Sequence, residues 1–172
     1  LARFLADRRR PFVSTFFDYY RLPSGQHRGW EFVPTIKSTR GVDGIEAALA
    51  EGVGRITSAA AGRFIPYIQM HELEALYYAE PGTLADVLDA PDQAPTFARI
   101  VAESRGCEAI DDSPLTAPSK RLEHHCPNYK KGRSSAAHAP RLGARLGLQA
   151  VRAACPRFAA WLTRIESLVE SP

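Results

Sequence analysis

Three acids have the type and placement to hold a hard divalent cation: Asp18, near the end of PFVSTFFDYY, and Glu72 and Glu74, just after RFIPYIQM. Mg2+ and Mn2+ take carboxylate oxygens and keep several waters, so a few acids suffice. Asp18 follows a run of β-branched and aromatic residues, and the carboxyl ends of buried strands are where open α/β sheets place their chemistry. Glu72 and Glu74 are two residues apart. On a helix they point about 160° apart, so at most one readily faces a shared site. His71 and Glu74, three apart, share a helix face. The same two acids would equally suit a solvated first turn, where negative charge meets the positive end of the helix dipole.

A second group is cationic. Thr116-Ala117-Pro118-Ser119-Lys120-Arg121 sets a hydroxyl at a candidate N-cap, a proline in the first turn and two cations just inside a helix. Cations at a helix start are electrostatically misplaced, which points Lys120 and Arg121 at an anion such as a phosphate. Lys120 would then neutralise a phosphate oxygen in a transition state. The alternative is an ion pair of Lys120 with Asp111, Asp112 or Glu123. His124-His125-Cys126 does not read as a zinc site, because adjacent helical residues diverge by about 100° and no CxxC or HxxxH partner exists. These are expected to be surface histidines beside a half-buried cysteine, and His27 and His138, in loop-like sequence, to be solvated. No GxSxG, GxxxxGK[ST] or GxGxxG string occurs, which argues against nucleotide hydrolysis by this chain.

The elements that position these residues alternate first and become helical later. Pro11 to Tyr20 has the pattern of a strand buried on both faces. Arg21 to Val42 reads as a long functional loop. Asp43 and Glu46 form a capping-box variant for a crossover helix that carries Ile45 and Leu49 on one face and runs to Gly52. Arg63 to Met70 is a second strand, with Pro66 at an edge or bulge. HELEALYYAEP is a helix that Pro81 stops. Strand, helix, strand and helix predict a parallel α/β core with crossover helices. Helices follow from Pro95 to Gly106 and from Pro118 to Cys126, and the last begins at Pro156 with an apolar stripe of Phe158, Trp161, Leu162, Ile165, Leu168 and Val169.

The chain of 172 residues is 45% apolar and 24% charged, which fits one globular domain that buries a real core. Its longest apolar runs fall far short of the roughly 18 to 20 residues that span a bilayer, so no membrane association is expected. Three cysteines at irregular spacing suit a reducing, cytoplasmic setting. The net charge of +3 hides a segregation: residues 1–116 carry 12 Lys and Arg against 16 Asp and Glu, whereas residues 117–172 carry 10 against 3. Such asymmetry marks either a phosphate-backbone partner or the background of a composition in which Arg outnumbers Lys 18 to 4. Lys120, Arg121, Lys130, Lys131 and Arg133 are the candidate nucleic-acid contacts.

FDYYRLP at 17–23, RFIPYIQMHELEAL at 63–76, IDD at 110–112, TAPSKRL at 116–122 and CPRFAAWLTRIE at 155–166 resemble, in order and spacing, the bacterial domain of unknown function 4276 family. The resemblance covers essentially the whole chain. That family is similar to Toprim-like domains, the Mg-dependent catalytic fold of topoisomerases, primases and nucleases partnered with ABC-type ATPases in phage defence. It implies a Toprim-like partial parallel sheet with crossover helices over residues 1–80 and a mostly helical, basic part over 81–172, together forming a single domain. It also implies a glutamate in an EGxTE-like motif after a first strand, upstream of Leu1. The chain is thus expected to be truncated, with Leu1 to Arg10 the end of an amphipathic helix. The paired-aspartate position carries over as Asp18 alone, since Tyr20 replaces the second acid.

The expected function is a Mg2+- or Mn2+-dependent phosphodiester nuclease acting on nucleic acid. Its catalytic set is Asp18, Glu72, Glu74 and Lys120, with Asp18 and Glu74 on the metal. The rival expectation is a non-catalytic partner or sensor subunit that docks on an ABC/SMC-type ATPase through Phe158 or Trp161, or a plain nucleic-acid-binding module. A homo-oligomer is compatible with all three.

Overall fold

The structure, a computed structural model, describes residues 12–22, 41–58, 62–110, 113, 115–132 and 135–168. The chain divides at Ile68/Gln69 into two compact units. The readings of Leu1 to Arg10 and of most of the Arg21 to Val42 loop lie outside the described residues, as do His27, Asp111, Asp112 and Arg133.

In the first unit the expected strand from Pro11 to Tyr20 is two short pieces, β1 (Val13–Ser14) and β2 (Phe17–Asp18). Its partner run is likewise split, into β3 (Phe64–Ile65) and β4 (Ile68–Gln69). β1 lies parallel to β3, with Val13 opposite Phe64 and Ser14 opposite Ile65, and β2 is ordered beside β4. Pro66 explains the interruption, because a residue without an N–H cannot continue the ladder. Where the ladder fails, the Thr15 hydroxyl accepts the Tyr67 N–H at 3.2 Å. The chain between Phe12 and Tyr20 is not buried on both faces: Phe12, Phe16, Phe17 and Tyr20 are 38–40% exposed.

Helix α1 (Gly41–Ile56) runs between the strand pairs in sequence and extends one turn past Gly52. Ile45 packs with Ile68, Tyr19 and Leu22, while Val53 packs with Phe64 and Val13. The capping box is not formed. Asp43 sits inside the first turn, and Glu46 instead accepts the Ile68 N–H at 2.9 Å.

The second unit opens with a 3-10 segment, Leu73–Ala79, rather than an α-helix. Pro81 does not stop a helix; it starts α2 (Pro81–Val87), where its missing N–H costs nothing. Then come α3 (Ala94–Ser104), α4 (Pro118–His125), α5 (Ser135–Ala154) and α6 (Pro156–Glu166). α5 is kinked at Gly147, whose φ of 70° and ψ of 153° are available to glycine alone. His138 therefore lies on a helix, half-buried near the Tyr129 ring at 6.1 Å, and not in a solvated loop. Tyr78 anchors the core, edge-on to Phe97 at 5.6 Å, with its hydroxyl donating to the Pro118 carbonyl at 3.2 Å. The fold is thus mixed α/β, with short parallel pairs followed by a mostly helical C-terminal half.

Leu84 is fully buried in α2, so Leu84→Ala removes apolar contacts and leaves a void. The expected loss is about 2–5 kcal/mol, read as a lower urea midpoint at unchanged m-value.

Candidate functional site

The acids after RFIPYIQM are buried, not solvated. Glu72 is 2% exposed and Glu74 5%. The cause is local backbone geometry. His71 takes a left-handed φ of 61°, uncommon for a residue with a side chain, and Glu72 is extended, with φ −146° and ψ 157°. Glu72 therefore precedes the 3-10 segment instead of lying on a helix with Glu74. The 160° divergence does not apply, and both carboxylates reach one cation. Lys131 Nζ lies 2.6 Å from Glu72 Oε1 and 3.5 Å from Glu74 Oε2.

The remaining oxygens are also taken. Glu72 Oε2 accepts the Ser119 N–H at 3.0 Å, and Glu74 Oε1 accepts the Tyr129 hydroxyl at 3.1 Å. Ser119 is in the first turn of α4, whose N-cap is Ala117 rather than Thr116, so no side chain of its own caps the helix. Glu72 supplies the missing acceptor from 47 positions away. Burial raises the Glu72 carboxyl, but hydrogen bonds from Lys131 and Ser119 outweigh it and hold the group below its ordinary value. Tyr129 is pushed up, by burial first and then by the Glu74 charge, and so stays a hydroxyl donor.

The backbone of Lys131 is fixed as well, its N–H donating to Glu123 Oε1 at 3.0 Å. Glu123 Oε2 accepts Lys120 Nζ at 2.7 Å, one of the ion pairs anticipated for Lys120. These contacts, with Lys120 leading, hold the Glu123 carboxyl low. Arg121 Nε donates to the Thr116 carbonyl at 2.8 Å, closing the turn before its own helix. Lys130 is exposed. Lys131, one of the candidate nucleic-acid contacts, places its ammonium on two buried acids. Asp18 belongs to the first unit, at the end of β2. Cys126 is fully buried, which pushes its thiol up to about 11, and the half-buried His125 is held below its usual value by burial and by His124.

Among the described residues no group of three or more His, Cys, Asp or Glu is gathered as metal ligands. The donors that are present suit a divalent cation, which takes carboxylate oxygens: two buried carboxylates reach one point, where an ammonium now stands. Lys131 and Tyr129 were not legible as members of this cluster. The available signal was the bare Ala117-Pro118 helix start, which requires a cap from elsewhere.

Lys131→Met leaves Glu72 and Glu74 without their cation and is expected to cost about 3 kcal/mol at pH 7. The sign with pH distinguishes the two proteins. In the wild type the Glu72 carboxyl is lowered, so its stabilisation is present above the ordinary value of 4.5 and is lost as pH falls through the lower folded value. In Lys131→Met, protonation relieves the unpaired buried charge, so urea denaturation at pH 5 should show part of the loss regained.

No curated protein and no solved structure matches the chain. One protein-family model does, that of the domain of unknown function DUF4276, and it aligns with residues 1–166. That span includes both strand pairs, the Glu72–Glu74–Lys131 cluster and the whole of α6, and the chain accordingly belongs to the DUF4276 family.

Proposed function

We propose that the chain is a Mg2+- or Mn2+-dependent, Toprim-like phosphodiester nuclease acting on nucleic acid, working in phage defence beside an ABC-type ATPase. The observation that carries this reading is the buried Glu72–Glu74 pair converging on one cation. Glu72 and Glu74 would hold the metal, and Asp18, in the first unit, is the further acid assigned to catalysis. When bound, the ion would activate water and neutralise charge on the leaving oxygen. Lys120 and Arg121 would face the scissile phosphate, with Lys130 and Arg133 along the backbone of the nucleic acid. In support, Lys120 is half-exposed and Lys130 exposed on the same unit as the acids.

The rival docking reading rests on aromatic anchors in the last helix. Phe158 is buried and packs on Trp161 at 5.4 Å, while Trp161 itself is partly exposed. The basic C-terminal half favours a nucleic-acid partner.

Glu72→Gln, Glu74→Gln and Asp18→Asn are each expected to lower Mn2+-dependent nicking of supercoiled plasmid about a hundredfold. Binding of the plasmid should persist. Nicking equal to wild type in all three variants would contradict the assignment. Charge removal at Lys130 and Arg133 is expected to weaken binding across all sequences and to reduce the salt slope by about 1 per contact, measured by fluorescence anisotropy at several salt concentrations.

A further inference from the structure

Cys107 and Cys155 are a pair of nucleophilic groups that the nuclease reading does not use. Glu108 brings them together. Its carboxylate is buried and accepts the N–H groups of Arg157 at 2.8 Å and Phe158 at 3.1 Å, so the 3-10 segment Cys107–Ala109 is fastened to the first turn of α6. Cys107 immediately precedes Glu108, and Cys155 is the N-cap of α6. Both thiols are free and buried, on the two segments that Glu108 fastens together.

A pocket of about 280 Å3 opens on this junction. Cys107 lines it, as do Ala154 and Pro156 on either side of Cys155, with Arg105, Arg157 and Glu108 bringing charge of both signs. A water molecule's share of liquid is about 30 Å3, so a molecule the size of hydrogen peroxide enters easily. The two sulfurs are chemically unequal. The hydrogen bond from Cys155 holds the Cys107 thiol below its ordinary range, while that bond and burial push Cys155 up. A thiol eased toward ionisation beside a second thiol that holds its proton more firmly suits oxidation followed by disulfide closure.

We propose that Cys107 and Cys155 form a reversible redox pair at this pocket, in which Cys107 reacts with a small hydroperoxide and Cys155 closes the product to an intramolecular disulfide. The Cys107 sulfur attacks one peroxide oxygen and the O–O bond breaks. The departing hydroxide takes up the Cys107 proton as water, leaving a sulfenic acid. The Cys155 sulfur then attacks the Cys107 sulfur, the S–O bond breaks, and the second hydroxide leaves with the Cys155 proton as water. Two thiols lose two electrons and two protons, and the peroxide becomes two waters. A dithiol reductant reverses the bridge, which when closed ties Cys107–Ala109 to α6 covalently.

The test is peptide mapping by mass spectrometry of the folded 172-residue chain after brief treatment with hydrogen peroxide. A Cys107–Cys155 cross-linked peptide that vanishes on reduction with dithiothreitol is expected. In Cys155→Ser, a sulfenic-acid trap such as dimedone should label Cys107 at least about tenfold faster than Cys126, whose thiol is pushed up to about 11. Absence of the cross-linked peptide from the treated wild type, or labelling of Cys126 as fast as Cys107, would overturn the proposal.

Discussion

The ammonium of Lys131, between Glu72 and Glu74, is the contact on which the polar interior of the second unit depends. Two carboxylates in a dry environment repel each other and lose their water, and either effect alone works against keeping the pair charged inside. One lysine compensates part of that charge, and the Ser119 N–H and Tyr129 hydroxyl satisfy the remaining oxygens. The result is satisfied in hydrogen bonds but not in charge. Each carboxylate also has a second task, Glu72 at the start of α4 and Glu74 on the buried Tyr129 hydroxyl.

The same acids also determine where helices begin. α4 and α6 both start on a proline preceded by a residue, Ala117 or Cys155, that contributes no side-chain cap. Proline at the first position removes one orphan N–H, and a distant glutamate accepts from the following residues. Glu72 does this for α4 and Glu108 for α6. Each cap is buried and long-range, so it fixes one segment against another as well as ending a helix. In α6 that fixing has a chemical by-product, the juxtaposition of Cys107 and Cys155.

Much of the second half was legible in sequence. Proline at a first turn with apolar residues at three- and four-residue spacing marked α3, α4 and α6, because those signals are local. The strand runs were recognised, but their division into two-residue pieces depends on which carbonyl faces Pro66 across the ladder, a pairing that no single run contains. The acids at 72 and 74 were found as candidates, and their mutual geometry was misjudged because a left-handed His71 breaks the helical spacing that separates them. The two acids that Lys131 meets are not legible in the sequence for the same kind of reason. Its partners lie 57 and 59 positions away, and composition carries no record of what a cation faces.

The central claim is that Glu72 and Glu74 hold a divalent cation in the place that Lys131 otherwise fills. Titration calorimetry of Mn2+ into the chain tests it directly, comparing wild type with Glu72→Gln, Glu74→Gln and Lys131→Gln at constant salt. The account predicts that either glutamine at the acid positions abolishes a binding event seen in the wild type, and that removing the Lys131 charge tightens it. Binding of equal strength in all four proteins would place the metal elsewhere and leave the cluster a structural ion pair.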